Sequence, residues 1–451
     1  MRNRNNSWLI FWSRIVQGTS LSRVVGAFSG VMLLLVVIFI LWSADGQKSV
    51  PLLVGADSPL PAESVSSAAS LWQQDFNPVV QENLFPEKFF SSLPFSPDFK
   101  TSAVAGRKLS VSTTLAEKLQ FKLVKLLRRY HPQLGAGVLL DLETGAILAM
   151  ADYRNETEGM ILPEDCGNLC LLSAFPAASL FKIVTAYGVL EKKSVNRKTC
   201  YKVIGRHHTL YKYQLGLGKS RYRYQPSEIS FEKAFARSVN PVFGRFGIDY
   251  FSADELVNLA ESFAFNRSIQ FDQPVHASQV ALPQTPFQIA ETSSGFIKTT
   301  TISPLHAALL VGAPLMVDQL PQPYLINRVV AENGAEVYYH QPQKCEFQLC
   351  DTKACRELAA MMRATVKYGT ARKSFRDVQR RRSFRKLEVG GKTGSLDMPD
   401  NIHRCEWFAG FGKNPATGKK IAVAVVLVHG EKRTISAGYI ASELIAASLK
   451  E

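Results

Sequence analysis

Three serines, two lysines and one asparagine in this sequence fall at spacings that suit acyl transfer. Ser179 stands three residues before Lys182 in FPAASLFKIVTAYGVLE. A serine hydroxyl becomes a strong nucleophile when a base takes its proton. A lysine can be that base if burial or a second cation depresses its pKa. Spacing i, i+3 puts both side chains on one helix face. The pattern occurs three times, at Ser179/Lys182, Ser230/Lys233 and Ser383/Lys386, so it decides nothing alone. An isolated copy is ordinarily a helix N-cap serine beside a solvated lysine. Context separates the three. Ser179 follows Pro176 and opens an apolar helical run, where unpaired N–H groups and the helix dipole favour negative charge. Ser230 lies in a polar stretch with Glu232 inside the motif, and Ser383 lies in the basic run RKSFRDVQRRRSFRK.

Ser-Val-Asn occurs at 194 and at 238. The first copy is too close behind the helix of Lys182 to face Ser179. The second, Ser238-Val239-Asn240, follows a helical run and precedes Pro241, so a short loop there can present a hydroxyl and an amide to a cleft. Near the C-terminus, EVGGKTGSL contains Lys392-Thr393-Gly394, which is unique in the chain. Its apolar and glycine flanks predict a strand edge that a ligand backbone can approach closely. A lysine fixed there depresses the pKa of a nearby Lys182 and attracts a carboxylate.

Elements must bring these distant segments together. LAEKLQFKLVKLLRRY, 115–130, places Leu115, Leu119, Leu123, Leu126 and Leu127 at helical spacing. AGVLLDL, the turn ETG and AILAMADY predict a hairpin over 136–153. EWFAGFG (406–412), the turn NPATG and KIAVAVVLV (420–428) predict another, and ISAGYIASELIAASL closes the chain as a helix. The middle, 179–370, reads as mainly helical. The expected fold is α/β: an antiparallel sheet formed from both chain ends, flanked by helices, with a large helical insertion. Residues 45–106 read as a Pro/Ser-rich linker carrying an aromatic patch, NLFPEKFFSSLPF, and order is expected from about Leu109.

In this order the motifs resemble those of the penicillin-binding proteins and serine β-lactamases, whose S-x-x-K, S-x-N and K-T/S-G elements surround one acyl-transfer site. SVSTTLAEKLQ, GVLLDLETGAILAM, SSGFIKTTTISPLHAALL, MMRATVKYGTAR and EWFAGFG are similar to segments of the transpeptidase domain over about 107–449. The resemblance implies a transpeptidase/β-lactamase-like domain at 107–451 and a role for each matched residue. Ser179 attacks the carbonyl of a D-Ala-D-Ala bond. Lys182 takes its proton. Ser238 relays a proton to the leaving amine. Asn240 binds the substrate amide and holds Lys182. Lys392 sets the field, Thr393 and Ser395 grip the terminal carboxylate beside Gly394, and the N–H groups of Ser179 and Ser395 form the oxyanion hole. Peptidoglycan stem peptides are the implied substrates, β-lactams the inhibitors and a glycosyltransferase an implied partner, with no cofactor or metal.

The bulk numbers fit such a protein. The chain has 451 residues, 46% hydrophobic and 20% charged, enough for a large core in up to about three domains. Its net charge of +15 suits an anionic membrane or acidic ligand; nucleic-acid motifs are absent. Val24–Ala44 is an uncharged stretch whose length at ~1.5 Å per residue is roughly 31 Å, one hydrocarbon core. Arg2, Arg4, Arg14 and Arg23 precede it with no acid, placing residues 1–23 in the cytoplasm and the catalytic body in the periplasm. A cleaved signal peptide fits less well, since Trp42 stands where cleavage needs a small residue. The seven cysteines include two close groups, Cys166/Cys170 and Cys345/Cys350/Cys355, spaced for local disulfides, with connectivity open.

Four alternatives share these motifs: a D,D-carboxypeptidase, a β-lactamase, a β-lactam sensor and a silent scaffold. Glu255-Leu-Val-Asn258 echoes the deacylating glutamate of one β-lactamase class but reads better as part of an amphipathic helix, DELVNLAESFAFN. A short cytoplasmic segment argues against a sensor, and every motif residue is present, against a scaffold. No glycosyltransferase domain fits in the length, and the N-terminal pedestal usual in monofunctional transpeptidases is not evident. The basic run Arg372–Lys386 reads as a solvated loop, and Tyr222 or Tyr224 as a candidate for the cleft wall.

Overall fold

Two segments far apart in the sequence, 134–154 and 388–429, meet in one sheet, as the two apolar hairpins require. A computed structural model describes residues 98–450 apart from 105–106, 156–161, 163–166, 193–194 and 222. The expected membrane span, the cytoplasmic segment, the aromatic patch, Cys166, Ser194 and Tyr222 lie outside the described residues. In chain order the elements begin with β1 (Asp98–Val104), β2 (Arg107–Thr113), α1 (Glu117–Tyr130), β3 (Leu134–Asp141), β4 (Ile147–Arg154) and β5 (Phe175–Pro176). A 3-10 turn, Ala178–Phe181, then runs into α2 (Lys182–Glu191). There follow β6 (Cys200–Val203), β7 (Ser227–Ser230), α3 (Phe231–Ala236), α4 (Asn240–Tyr250), α5 (Ala253–Glu261), α6 (Pro286–Ser294), β8 (Thr301–Ile302) and α7 (Pro304–Gly312). The chain continues with β9 (Ile326–Ala331), β10 (Glu336–Tyr339), α8 (Thr352–Lys367) and α9 (Arg372–Gln379). It ends with β11 (Glu388–Asp397), β12 (Arg404–Lys413), β13 (Lys420–His429) and α10 (Ala437–Ser448).

The central sheet has the order β11-β12-β13-β3-β4 and is antiparallel throughout. The apolar run of β13 has no polar face because both faces are covered. Val423, Val425 and Leu427 pack with Leu123 and Leu127 of α1 and with Ile440 and Leu444 of α10. The alternate residues Ala422, Ala424, Val426 and Val428 join Leu305 and Leu309 of α7 and Leu358 and Met362 of α8. Period-2 alternation thus sorts one strand between two cores. Truncating one of these leucines to alanine costs about 2–5 kcal/mol. Helix α1 is pinned to β4 through buried Gln120, which donates to Met150 O and accepts from Met150 N, each at 2.9 Å.

Three sequence expectations are corrected. Strand structure begins at Asp98, inside the segment read as linker, and the β1–β2 hairpin pairs with β9. The middle of the chain therefore contributes β9 and β10 to a second sheet, ordered β1-β2-β9-β10. Strands β9 and β10 form a hairpin, whose local signal was Asn333-Gly334, with Gly334 at φ +83. The first half of the basic run, Arg372–Gln379, forms helix α9, because Phe375 and Val378 face the core while its charged residues face out. Finally, Cys170, Cys200, Cys345, Cys350, Cys355 and Cys405 are all free thiols, so the 345/350/355 group forms no local bridge.

Candidate active site

Ser179 sits in the 3-10 turn and Lys182 begins α2 one turn later, which aims both side chains at the same space. Two contacts hold the turn. Trp407 of β12 donates Nε1–H to Pro176 O at 2.9 Å, and Ala177 N donates to Thr300 O at 2.8 Å. Gly295, just past α6, has φ +62, and a Cβ there would lie 1.8 Å from Ala178 O. Only glycine lets the end of α6 approach the backbone beside Ser179.

The other motif residues arrive from separate elements. Ser238 lies in the tight loop between α3 and α4 at φ +56. Asn240 opens α4, with Pro241 pre-setting the helical backbone. Lys392, Thr393 and Gly394 lie on β11, the edge strand of the central sheet, as their flanks predict. Ser238 Oγ donates to Ser179 Oγ at 3.0 Å, and Lys392 Nζ donates to Ser238 Oγ at 2.9 Å. Lys182 Nζ lies 2.9 Å from Ser179 Oγ and 2.8 Å from Asn240 Oδ1, and also meets Ser294 O. Asn240 is oriented in turn by its Nδ2–H bond to His208 O at 3.1 Å.

Both lysines are completely buried. Burial, then repulsion from Lys392, holds the Lys182 ammonium well below the ordinary lysine range. Burial alone brings Lys392 down to about 7. Each amine also lies over an aromatic ring, Lys182 over Phe243 and Lys392 over Phe235, at 5.5 and 5.7 Å. A neutral amine has two N–H donors and one lone pair. Around Lys182, Asn240 Oδ1 and Ser294 O are pure acceptors, which leaves the lone pair for the Ser179 O–H. Among the described residues no carboxylate hydrogen-bonds Ser179 or Lys182.

A cleft of about 650 Å³ opens over these groups, lined by Ser179, Ser238, Asn240, Thr393, Gly394 and Ser395 among others. The hydroxyls face the cleft, and the amines lie behind them. Three lining residues went unremarked in the sequence. Thr370 places Oγ1 2.5 Å from Thr393 Oγ1; Arg404 donates Nε–H to Ser395 Oγ at 2.8 Å; His208 orients Asn240. Thr370 stands in MMRATVKYGTAR, so its segment was a signal, but its pairing with Thr393 across 23 residues was not.

The remaining candidates fall elsewhere. Ser230 caps α3 by accepting from Lys233 N, and Ser383 and Lys386 are exposed. Glu255 forms a capping box with Ser252 at the start of α5 and pairs with Lys192. Tyr224 stacks on Tyr213 at 5.5 Å and does not line the cleft.

Comparison with known proteins gives a consistent result. A family model described as the penicillin binding protein transpeptidase domain matches residues 135–450. The chain is 22% identical over 360 residues to stage V sporulation protein D of Bacillus subtilis (strain 168), covering 76% of this chain and 53% of that protein. It thus spans about half the length of that curated relative. Its fold is similar to the D,D-transpeptidase domain of a peptidoglycan glycosyltransferase from Eggerthella lenta, with TM-score 0.60 and 23% identity over 75% of this chain and 82% of that one. It is also similar to penicillin-binding protein A from M. tuberculosis, solved as an imipenem acyl-enzyme complex, with TM-score 0.58 and 21% identity over 75% and 79% of the chains.

Proposed function

The chain belongs to the penicillin binding protein transpeptidase domain family, and on that premise we propose that it is a membrane-anchored D,D-transpeptidase that cross-links peptidoglycan stem peptides through an acyl-enzyme at Ser179. The observation that carries this reading is the arrangement around Lys182, whose two acceptors and depressed pKa leave a lone pair aimed at the Ser179 hydroxyl. Lys182 takes the Ser179 proton as Oγ attacks the carbonyl carbon of the D-Ala-D-Ala bond. The backbone N–H groups of Ser179 and Ser395 receive the developing oxyanion. Thr393 and Ser395 hold the terminal carboxylate in the field of positively charged Lys392, and Asn240 holds the substrate amide. Ser238, linked to both Ser179 and Lys392, passes a proton to the leaving nitrogen as the C–N bond breaks and D-Ala departs. An acceptor amine then attacks the ester, forms the cross-link and returns the hydroxyl to Ser179. A β-lactam that enters as the donor does is trapped as the ester.

The apolar stretch Val24–Ala44 supports an anchor with residues 1–23 in the cytoplasm and the catalytic body in the periplasm, within reach of a glycosyltransferase partner. A β-lactamase is disfavoured because Glu255, its candidate deacylating acid, is engaged at the exposed start of α5.

The test is covalent labelling of the purified chain with fluorescent penicillin, beside Ser179→Ala, followed over hours. Stable labelling that disappears in the variant is expected. Rapid loss of label with drug turnover would point to a β-lactamase, and a folded wild type that takes no label would end the active-enzyme reading.

A further inference from the structure

Asn240 holds Lys182, and Asn240 is itself held by a loop that none of the sequence motifs marks. Segment 204–216 follows β6 and ends in a 3-10 turn, Lys212–Leu215. Its His207 O accepts from Asn240 N at 2.7 Å, and its His208 O accepts from Asn240 Nδ2 at 3.1 Å. The first contact fixes the start of α4. The second fixes the rotation of the amide. With Nδ2 bound to a carbonyl on one side, Oδ1 is turned to the other, where Lys182 Nζ donates to it at 2.8 Å.

Gln214 shapes this loop. It is 6% exposed and does not line the Ser179 cleft. Its Nε2 donates to Ile204 O and to Arg206 O, each at 2.9 Å. Its Oε1 accepts from Tyr211 N at 2.9 Å and from the Thr209 hydroxyl at 3.2 Å. A carboxamide has two N–H donors and two acceptor positions, so the loop uses all of them. Arg206 and Thr209, two of the residues it grips, bracket His207 and His208 in the chain. The carbonyls that hold Asn240 thus lie in a turn closed by one buried side chain. Leu210 and Leu215 seat the loop independently. Both are buried with Ala290 of α6, and a Cβ on Gly244 of α4 would come 2.9 Å from each.

We propose that Gln214 is a positioning residue for acyl transfer. It sets the His207 and His208 carbonyls, these orient Asn240, and Asn240 holds the Lys182 amine against Ser179. The effect on acylation rests on the proposed function. The effect on Asn240 does not.

The experiment compares the full chain in detergent with Gln214→Leu, which keeps bulk at this position and removes all four bonds, in the wild-type and Asn240→Ala backgrounds. Stopped-flow acylation by fluorescent penicillin should slow by at least ~10-fold in the wild-type background, since misplacement near a reacting group costs up to about 100-fold. In the Asn240→Ala background the same substitution should cost less than ~2-fold, because its action runs through Asn240. A side chain that only supported the fold would slow both backgrounds alike. Hydrogen exchange at the Asn240 amide, which His207 O protects, should quicken in Gln214→Leu. Thr209→Val loses one of the four bonds at a half-buried position, so it should show the same pattern more weakly even if Gln214→Leu folds poorly. Unchanged acylation, losses that multiply across the two backgrounds, or unchanged exchange at Asn240 would overturn the proposal. A wild type that takes no penicillin would count against the Ser179 reading, and the exchange would still decide whether Gln214 holds Asn240.

Discussion

Asn240 Oδ1 lies 2.8 Å from Lys182 Nζ, and this contact links the start of α4 to the start of α2 inside the core. It holds the amine against Ser179 without adding a charge. Replacing the amide by a carboxylate tests that distinction. In Asn240→Asp an opposite charge favours the ammonium form and raises the Lys182 pKa. Because the neutral amine is the base, activity is lost as pH falls through this pKa. The acid limb of penicillin acylation should therefore move to higher pH. Asn240→Ala should lower the rate without that displacement.

Lys392 governs the opposite limb. Its pKa is depressed to about 7, so its positive charge is present below that value and lost as pH rises through it. Acylation efficiency of the free enzyme should decline above about pH 7. Lys392→Arg, whose guanidinium stays charged, should lower the rate but abolish the alkaline limb. An alkaline limb unchanged in this variant would assign it to another group.

Gly295 and Gly334 separate backbone strain from crowding. Both have positive φ, but a Cβ at Gly334 meets open space, whereas at Gly295 it would strike Ala178 O. Gly334→Ala should cost about 1 kcal/mol of stability and leave acylation intact. Gly295→Ala must push the Ser179 turn aside, and should lower acylation about 100-fold, as misplacement near an attacking atom does. Stopped-flow acylation beside chemical denaturation measures both.

Thr370 reaches the cleft only through the fold. Thr370→Val removes the partner of the Thr393 hydroxyl, worth about 0.5–1.5 kcal/mol. The expected result is a 2- to 12-fold loss in acylation efficiency, carried mainly by weaker substrate capture, with melting temperature nearly unchanged.

Asp272 gives a stability prediction away from the catalytic cleft. Burial raises its pKa to about 6 in the folded chain, against 3.8 for the ordinary carboxyl. The folded state then binds more protons than the unfolded between those values, so this group's stabilising contribution is present below 3.8 and is lost as pH rises through 6. Asp272→Asn keeps an oxygen for the Leu325 and Ile326 N–H groups without the charge. Its melting temperature should gain on wild type as pH goes from 4 to 7. A difference independent of pH would show that Asp272 does not titrate there.

The motif residues and the central sheet were legible in the sequence for physical reasons. Apolar runs such as KIAVAVVLV can exist only where both faces are covered, and ETG and NPATG close their strands locally, so both hairpins follow from short-range chemistry. Ser179 stood apart from Ser230 and Ser383 because an apolar helix follows it. The small second sheet was harder to read: β9 and β10 are short and half-exposed, and β2, the other partner of β9, lies more than 200 residues away. The basic run misled because its two core residues, Phe375 and Val378, are few among many charges.

By itself, then, the sequence determined which residue types were available for acyl transfer, and which local elements carry them. Only the tertiary structure decided that Lys182 and Lys392 are both buried, that Ser238 bridges Lys392 to Ser179, and that Thr370 meets Thr393. The reason is that a pKa or a proton path depends on distances of about 3 Å between side chains from different elements and on the dielectric around them. Neither quantity is local in the chain.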